Sequence, residues 1–125
     1  MQKISYEDFS KIEIKAGKIL SAEKIPDTDK LLKLSVDFGE TIETIDEQGN
    51  KINKQSYRQI VSGISLYFPD VSILIGKVCM FVTNLEPKII KGIESNGMIF
   101  ALSNSEGAFS LLEPNPSIPI GTKAK

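Results

Sequence analysis

Leu32-Lys33-Leu34-Ser35-Val36-Asp37-Phe38 alternates without a break, apolar at every even position and polar at every odd one. A period of two puts Leu32, Leu34, Val36 and Phe38 on one face of a β-strand and Lys33, Ser35 and Asp37 on the other. Such a strand packs one face on a core and shows the other to water. Upstream, Ile12, Ile14 and Ala16 alternate with Glu13 and Lys15, but beyond Gly17 the apolar set becomes Ile19, Leu20 and Ala22. The phase slips, and the glycine at the slip predicts a β-bulge there, bending one long strand to serve two parts of a barrel. Ile25-Pro26 ends this strand, and Asp27 and Asp29 suit the turn.

Downstream, residues 41–54 read as a polar hairpin around a loop at 46–50, and a third core strand is expected over 57–64. Residues 66–75, interrupted by Pro69-Asp70, suit one or two helical turns. A fourth strand over 77–85 is apolar on both faces, Val78, Met80 and Val82 against Cys79 and Phe81. It therefore needs cover from the barrel interior and from another segment or subunit. A loop over 86–97 precedes strands at 98–102 and 109–112, and the tail carries Pro114, Pro116 and Pro119. At the front, Ser5 ahead of Glu7, Asp8 and Phe9 is an N-cap with acidic first-turn residues. Short strands separated by Gly and Pro turns predict an all-β fold, a five-stranded oligonucleotide-binding (OB) Greek-key barrel. The barrel spans about 10–98, with a short N-terminal helix and a C-terminal β extension over about 99–125, all one domain over 1–125.

Composition narrows the chemistry. Hydrophobic residues make up 41% of the 125 and charged residues 25%, the balance of a globular domain. There is no histidine, and Cys79 is the only cysteine. That removes histidine-based triads, Cys–His nucleophiles and zinc centres. The acid pairs Asp27/Asp29 and Asp46/Glu47 fall in turns with no apolar pocket to raise a pKa. No glycine pattern matches a phosphate loop. The expectation is a protein without catalytic residues, metal or cofactor. One cysteine builds no intrachain disulfide, which fits a reducing cytosol. No signal-like N-terminus and no apolar run near the ~20 residues of a membrane helix are present, so a cytoplasmic location away from membranes is expected.

Net charge is −1 and the pI is near 5.5, so any affinity for nucleic acid rests on a local patch. Asp37, Glu40, Glu43, Asp46 and Glu47 form an acidic block, followed by Lys51, Lys54 and Arg58. Blocks of this kind are ordinarily solvated surface. Arg58 stands apart as the only arginine, set within a strand. Its planar fork fits a phosphate and its flat face a base. The alternative is a salt bridge to an acid of the 37–47 run. A second constellation is Glu94-Ser95-Asn96-Gly97-Met98, preceded by Asn84-Leu85-Glu86-Pro87-Lys88. Asn96-Gly97 is a hairpin-turn signal, yet barrels of this class bind oligonucleotides at the loop joining their last strands. Hydroxyl, amide and ammonium groups there can hold phosphate and sugar, with Met98 against a base or ribose.

Several ordered motifs then combine: Asp8-Phe9, Ala16-Gly17-Lys18-Ile19, Lys30-Leu31-Leu32-Lys33-Leu34, Arg58-Gln59-Ile60-Val61-Ser62-Gly63-Ile64, Asn84-Leu85 with Pro87-Lys88, and Gly92-Ile93-Glu94-Ser95-Asn96-Gly97-Met98-Ile99. Over nearly its whole length the chain resembles the tRNA-binding domain found at the C-terminus of methionyl-tRNA synthetases. That domain also occurs as a free-standing tRNA-binding protein and in the endothelial monocyte-activating polypeptide family. The resemblance implies shape-directed tRNA binding through Lys33, Arg58, Asn84, Lys88, Ser95 and Met98, to which charge adds Lys30 and Lys91. It implies a homodimer through the C-terminal extension, and the methionyl-tRNA synthetase catalytic chain as a further partner. A related branch with the same fold is an export chaperone, so a chaperone-like or protein-interaction module is the alternative. That branch resembles Ser-Ser-Ala-Gln-Ile where this chain has its Arg58 motif, which favours tRNA. The hairpin at 41–55 is longer than the family's usual connection.

Overall fold

The computed structural model describes residues 1–125. A five-stranded antiparallel sheet curls around one core in the order β3-β2-β1-β4-β7, an OB-like half-barrel. Its strands are β1 (Ile14–Lys24), β2 (Leu32–Ile45), β3 (Lys51–Ser62), β4 (Val78–Val82) and β7 (Met98–Ile99). The helix α1 (Tyr6–Ser10) precedes it, with the Ser5 hydroxyl accepting from the Asp8 N–H at 3.0 Å as a cap. The 66–75 region forms two 3₁₀ turns, Ser65–Tyr67 and Val71–Leu74. No helix is long and apolar enough to cross a membrane.

The alternation in β2 becomes the core. Leu32, Leu34, Val36 and Phe38 are buried with Ile19, Ile60, Cys79 and Phe81. Each fully buried side chain of this size contributes roughly 1.5–3 kcal/mol of transfer free energy. Phe38 and Phe81 meet edge-to-face at 5.2 Å. The bend in β1 is real, but its place differs from the expected one: the register slips between Ile19 and Ser21, not at Gly17. Gly17 answers a different need. A Cβ there would stand 2.5 Å from the Phe38 ring and 2.7 Å from Val36 Cγ1, so the glycine lets β1 lie against the aromatic core.

Strand three begins at Lys51 rather than at 57, because the polar hairpin is a continuation of β2 and β3 and not a separate unit. Asp46 closes its tip by accepting from the Gln48 and Asn50 N–H groups. A second irregularity lies between Val36, paired with Arg58, and Glu40, paired with Ser56. Four steps along β2 there match two along β3. Gly39 sits in this bulge at φ +76, its N–H held by Asp37 Oδ1 at 2.8 Å.

Three further expectations are corrected. Strand four stops at Val82, where the Thr83 N–H turns to the Glu13 carbonyl. The region 86–97 is a hairpin of its own, β5 (Lys88–Ile90) and β6 (Ile93–Ser95). The strand expected at 98–102 is divided between two partners: β7 pairs with β4, a register that the Phe100 N–H extends by bonding the Met80 carbonyl, and β8 (Ala101–Ser103) turns to another strand.

The C-terminal extension meets β4 at its backbone and on its core face, while Val78 and Met80 on the other face stay half-buried. β8 pairs with β9 (Phe109–Leu111), Leu111 enters the core, and the Met80 N–H donates to the Leu112 carbonyl. The tail then runs beside the start of β1, with Ala16 donating to Thr122 and Ala124 to Ile14. It fills the edge that β2, paired with β1 only from Lys18 onward, leaves open.

Candidate nucleic-acid interface

The β5–β6 hairpin organises this face. Its turn residues Lys91 and Gly92 both have positive φ, 51° and 79°, the backbone of a two-residue type I′ turn. A lysine at the first of these positions costs about 1–2 kcal/mol relative to a residue free of the Cβ clash. The hairpin closes the barrel against the edge strand β3. The Ser95 hydroxyl accepts from the Val61 N–H at 2.9 Å and donates to the Gly97 carbonyl at 3.1 Å. Gln59 Nε2 donates to the Glu94 carbonyl at 2.9 Å, and the Asn96 N–H donates to the Gln59 carbonyl. Asn96-Gly97, expected as a hairpin tip, is instead the crossing that stitches β6 to β3.

Two clefts of about 490 Å³ each flank the hairpin, and Ile90 lines both. Val61, Lys88 and Met98 wall one of them; Asp27, Asp29, Lys30 and Lys91 wall the other. Lys33 pairs in register with Val61, on the outward face of β2 beside the first cleft. Its ammonium lies 3.5 Å from Glu23 on β1. Lys88 and Lys91 thus stand on the hairpin itself, Lys30 lines the second cleft and Lys33 lies in register with a wall residue of the first. Exposed Leu85, Ile89 and Met98 are apolar surface nearby. The surface mixes cations with carboxylates, so its field is local rather than long-ranged.

Arg58, Asn84 and Ser95 are placed otherwise, their polar groups committed inside the fold. Arg58 shares the core-side face of β3 with Ile60, opposite to Val61. Its Nε donates to Glu40 Oε1 and its Nη2 to Glu40 Oε2, both at 2.7 Å, while Nη1 donates to the Thr83 carbonyl. Its guanidinium also lies 5.3 Å from the Phe38 ring centroid. The salt bridge to the 37–47 acidic run is the alternative that forms. These hydrogen bonds hold the Glu40 carboxyl below its ordinary 4.5, against the opposing effect of burial, and push Arg58 upward. Asn84 uses both ends of its amide, Oδ1 accepting from the Glu13 N–H at 2.7 Å and Nδ2 donating to the Lys11 carbonyl. It latches the N-terminal segment to the end of β4.

Two further carboxylates belong to this network, and the sequence alone does not single them out. Glu40 is one acid among several, and nothing in the spacing shows that a bulge brings it to Arg58. Glu13 accepts from Thr83 Oγ1 at 2.7 Å and pairs with Lys15 and Lys123 at 3.4 Å each. The Thr83 hydrogen bond above all, aided by the two lysines, draws its carboxyl pKa down.

Known proteins of the same shape give this face a context. A family model described as "Putative tRNA binding domain" matches residues 14–123. The methionine–tRNA ligase of Methanoregula boonei is 49% identical over 124 residues, and that of Methanospirillum hungatei 45% over 122. Each match takes in 98% of this chain, yet the chain spans only 16% of the length of either relative. Among solved structures, a MetRS related protein from Pyrococcus horikoshii superposes with a TM-score of 0.81 at 34% identity, covering 100% of both chains. A chaperone CsaA of Bacillus anthracis superposes at 0.75 with 27% identity, over 99% of this chain and 100% of its own. By the span of the family model and the identity to a relative of the same length, the chain belongs to the tRNA-binding domain family.

Proposed function

We propose that this chain is a non-catalytic tRNA-binding module, and that the β5–β6 hairpin face is where it meets RNA. The observation that carries the reading is Lys88 and Lys91 on the hairpin itself, with Lys30 lining one flanking cleft, Lys33 in register with a wall residue of the other and Met98 nearby, in a chain whose overall charge is −1. Lysine is a point donor with no base-reading fork, so the contacts position phosphate rather than read sequence. Met98 supplies a polarisable apolar surface for a base or ribose. Arg58, Asn84 and Ser95 serve the same face by holding its loops.

The similarity to methionine–tRNA ligases suggests the methionyl-tRNA synthetase catalytic chain as a partner, covalent or separate. A homodimer through the C-terminal extension is the expected assembly. Leu102 and Ile118 of the extension are exposed, and Val78 and Met80 of β4 are half-buried; sedimentation near 13.8 kDa at micromolar concentration would refute the dimer. The likeness to the chaperone favours one second reading, a peptide-binding module on the same fold.

The deciding experiment is a tRNA titration across salt concentrations. Each lysine that neutralises a phosphate should contribute about −0.7 to −0.9 to the slope of log affinity against log salt. Replacing Lys88 or Lys91 by alanine should reduce the slope by about one contact, whereas Met98→Ala should weaken binding with little change of slope. Lys51→Ala and Lys54→Ala, on the distal hairpin, should leave both quantities near wild type. Saturable binding of unfolded peptide with no tRNA affinity would favour the second reading.

A further inference from the structure

We infer that the Arg58–Glu40 pair is a clasp that positions the β5–β6 hairpin, which makes Glu40 a positioning residue for RNA binding although its own charge repels phosphate. The inference rests on the proposed RNA-binding role of that hairpin.

Donor accounting is the first argument. A guanidinium carries five N–H groups. Nε and one N–H of Nη2 go to Glu40; Nη1 goes to the Thr83 carbonyl, with a longer contact of 3.5 Å to the Asn96 carbonyl. One N–H of Nη2 remains, so no fork is left to grip a phosphate. The two carbonyls are informative in themselves. Thr83 is where the chain leaves β4, and Asn96 is where it returns after β6. The segment between them carries Lys88 and Lys91, so one side chain ties both ends of the loop that presents the lysines.

The second argument is register. In an uninterrupted ladder beyond Val36–Arg58, Glu40 would lie opposite Lys54, about 13 Å along the strand from the Arg58 level. The bulge instead places Glu40 opposite Ser56, a diagonal neighbour of Arg58 at roughly 7–8 Å between backbones. Both side chains are about three-quarters buried, at 22% and 29% exposure. Without its carboxylate partner the guanidinium is a largely buried charge with carbonyl acceptors only, and leaving for water becomes its better state. The hairpin would then lose the tie at both ends.

Simple electrostatics predicts the opposite sign. If Arg58 contacted phosphate directly, Glu40→Gln would remove a repulsive charge and free the fork, and tRNA would bind more tightly. The test measures binding of one transcribed tRNA to wild type, Glu40→Gln and Arg58→Lys across salt concentrations. Amide hydrogen exchange is followed in the free proteins over residues 88–95 and in β1 and β2. The clasp predicts that both variants bind about tenfold more weakly, the loss of roughly one charge-assisted hydrogen bond. Exchange should quicken over 88–95 by more than in the core of β1 and β2, whose protection falls only with global stability; a uniform quickening would mean general destabilisation and overturn the clasp. Lysine keeps the charge of Arg58 but cannot span Glu40 and two carbonyls, so Arg58→Lys also covers the case in which Glu40→Gln folds poorly. Tighter or unaltered binding by Glu40→Gln, or wild-type binding by Arg58→Lys, overturns the clasp while leaving tRNA binding intact. Wild type that binds no tRNA overturns the functional reading beneath it.

Discussion

Arg58 and Glu40 meet through two parallel hydrogen bonds of 2.7 Å each, and they meet only because β2 spends four residues where β3 spends two. The pair joins the edge strand to the loops closing the barrel, so its energetics bear on stability as well as on the site.

The pH dependence follows from the sign of the Glu40 shift. Its folded pKa is depressed below 4.5, so its contribution is fully present above that value and is lost as pH falls through the depressed one. Glu40→Gln should therefore be less stable than wild type at pH 7, by about 1–3 kcal/mol for charge-assisted hydrogen bonds in this setting. The gap should narrow as pH drops below 4.5. Urea denaturation of both proteins at a series of pH values measures it. A gap independent of pH would show that the carboxylate charge contributes nothing.

Lys91 sets stability against binding. Its φ of 51° is strained for a residue with a Cβ, and glycine relieves this at no steric cost. Lys91→Gly should raise the unfolding free energy by up to about 1 kcal/mol while weakening tRNA binding and flattening its salt dependence. Loss of stability together with unchanged binding would contradict both halves.

Gly17→Ala tests the packing of β1 on the core. The added methyl would stand 2.5 Å from Phe38 Cε1, a distance only a shift of the ring or strand can relieve. Overpacking of this kind costs about 1–3 kcal/mol. Chemical denaturation should show that loss, and Gly17→Ala with Phe38→Leu should recover part of it.

Cys79 should be chemically silent in the folded protein. Burial in the core, reinforced by the Glu113 charge, pushes its thiol up to about 11, so almost no thiolate exists at neutral pH. A thiol reagent should label it only after denaturation. Labelling of native protein at a rate near that of a free thiol would mean that β4 opens readily.

Much of this molecule is written locally. Alternation from Leu32 to Phe38 declares a strand and its core face because the period of a strand is two, whatever lies around it. Ser5 before Glu7 and Asp8 declares a helix start because an N-cap answers donors three residues away. The polar hairpin, the absence of histidine, and the lysines at 30, 33, 88 and 91 are likewise legible in order along the chain. Family motifs add the barrel, since each of them is a short run with its own spacing.

What the chain could not declare alone depends on register and on partners far away in sequence. The slip in β1 lies at Leu20 and not at Gly17, because a bulge is settled by the strand opposite, while the glycine is required by a ring twenty-one residues on. The hairpin at Lys91-Gly92 carries no clear sequence signal because lysine is a poor turn former, held there by the bonding of β6 to β3 and not by its own preference. Arg58 shows the limit most clearly. Residue type made it a candidate phosphate ligand, and only the fold, through the bulge that carries Glu40 beside it, decided where its donors go. A side chain's chemistry is local, but the competition for its hydrogen bonds is won by whichever acceptor the tertiary structure brings nearest.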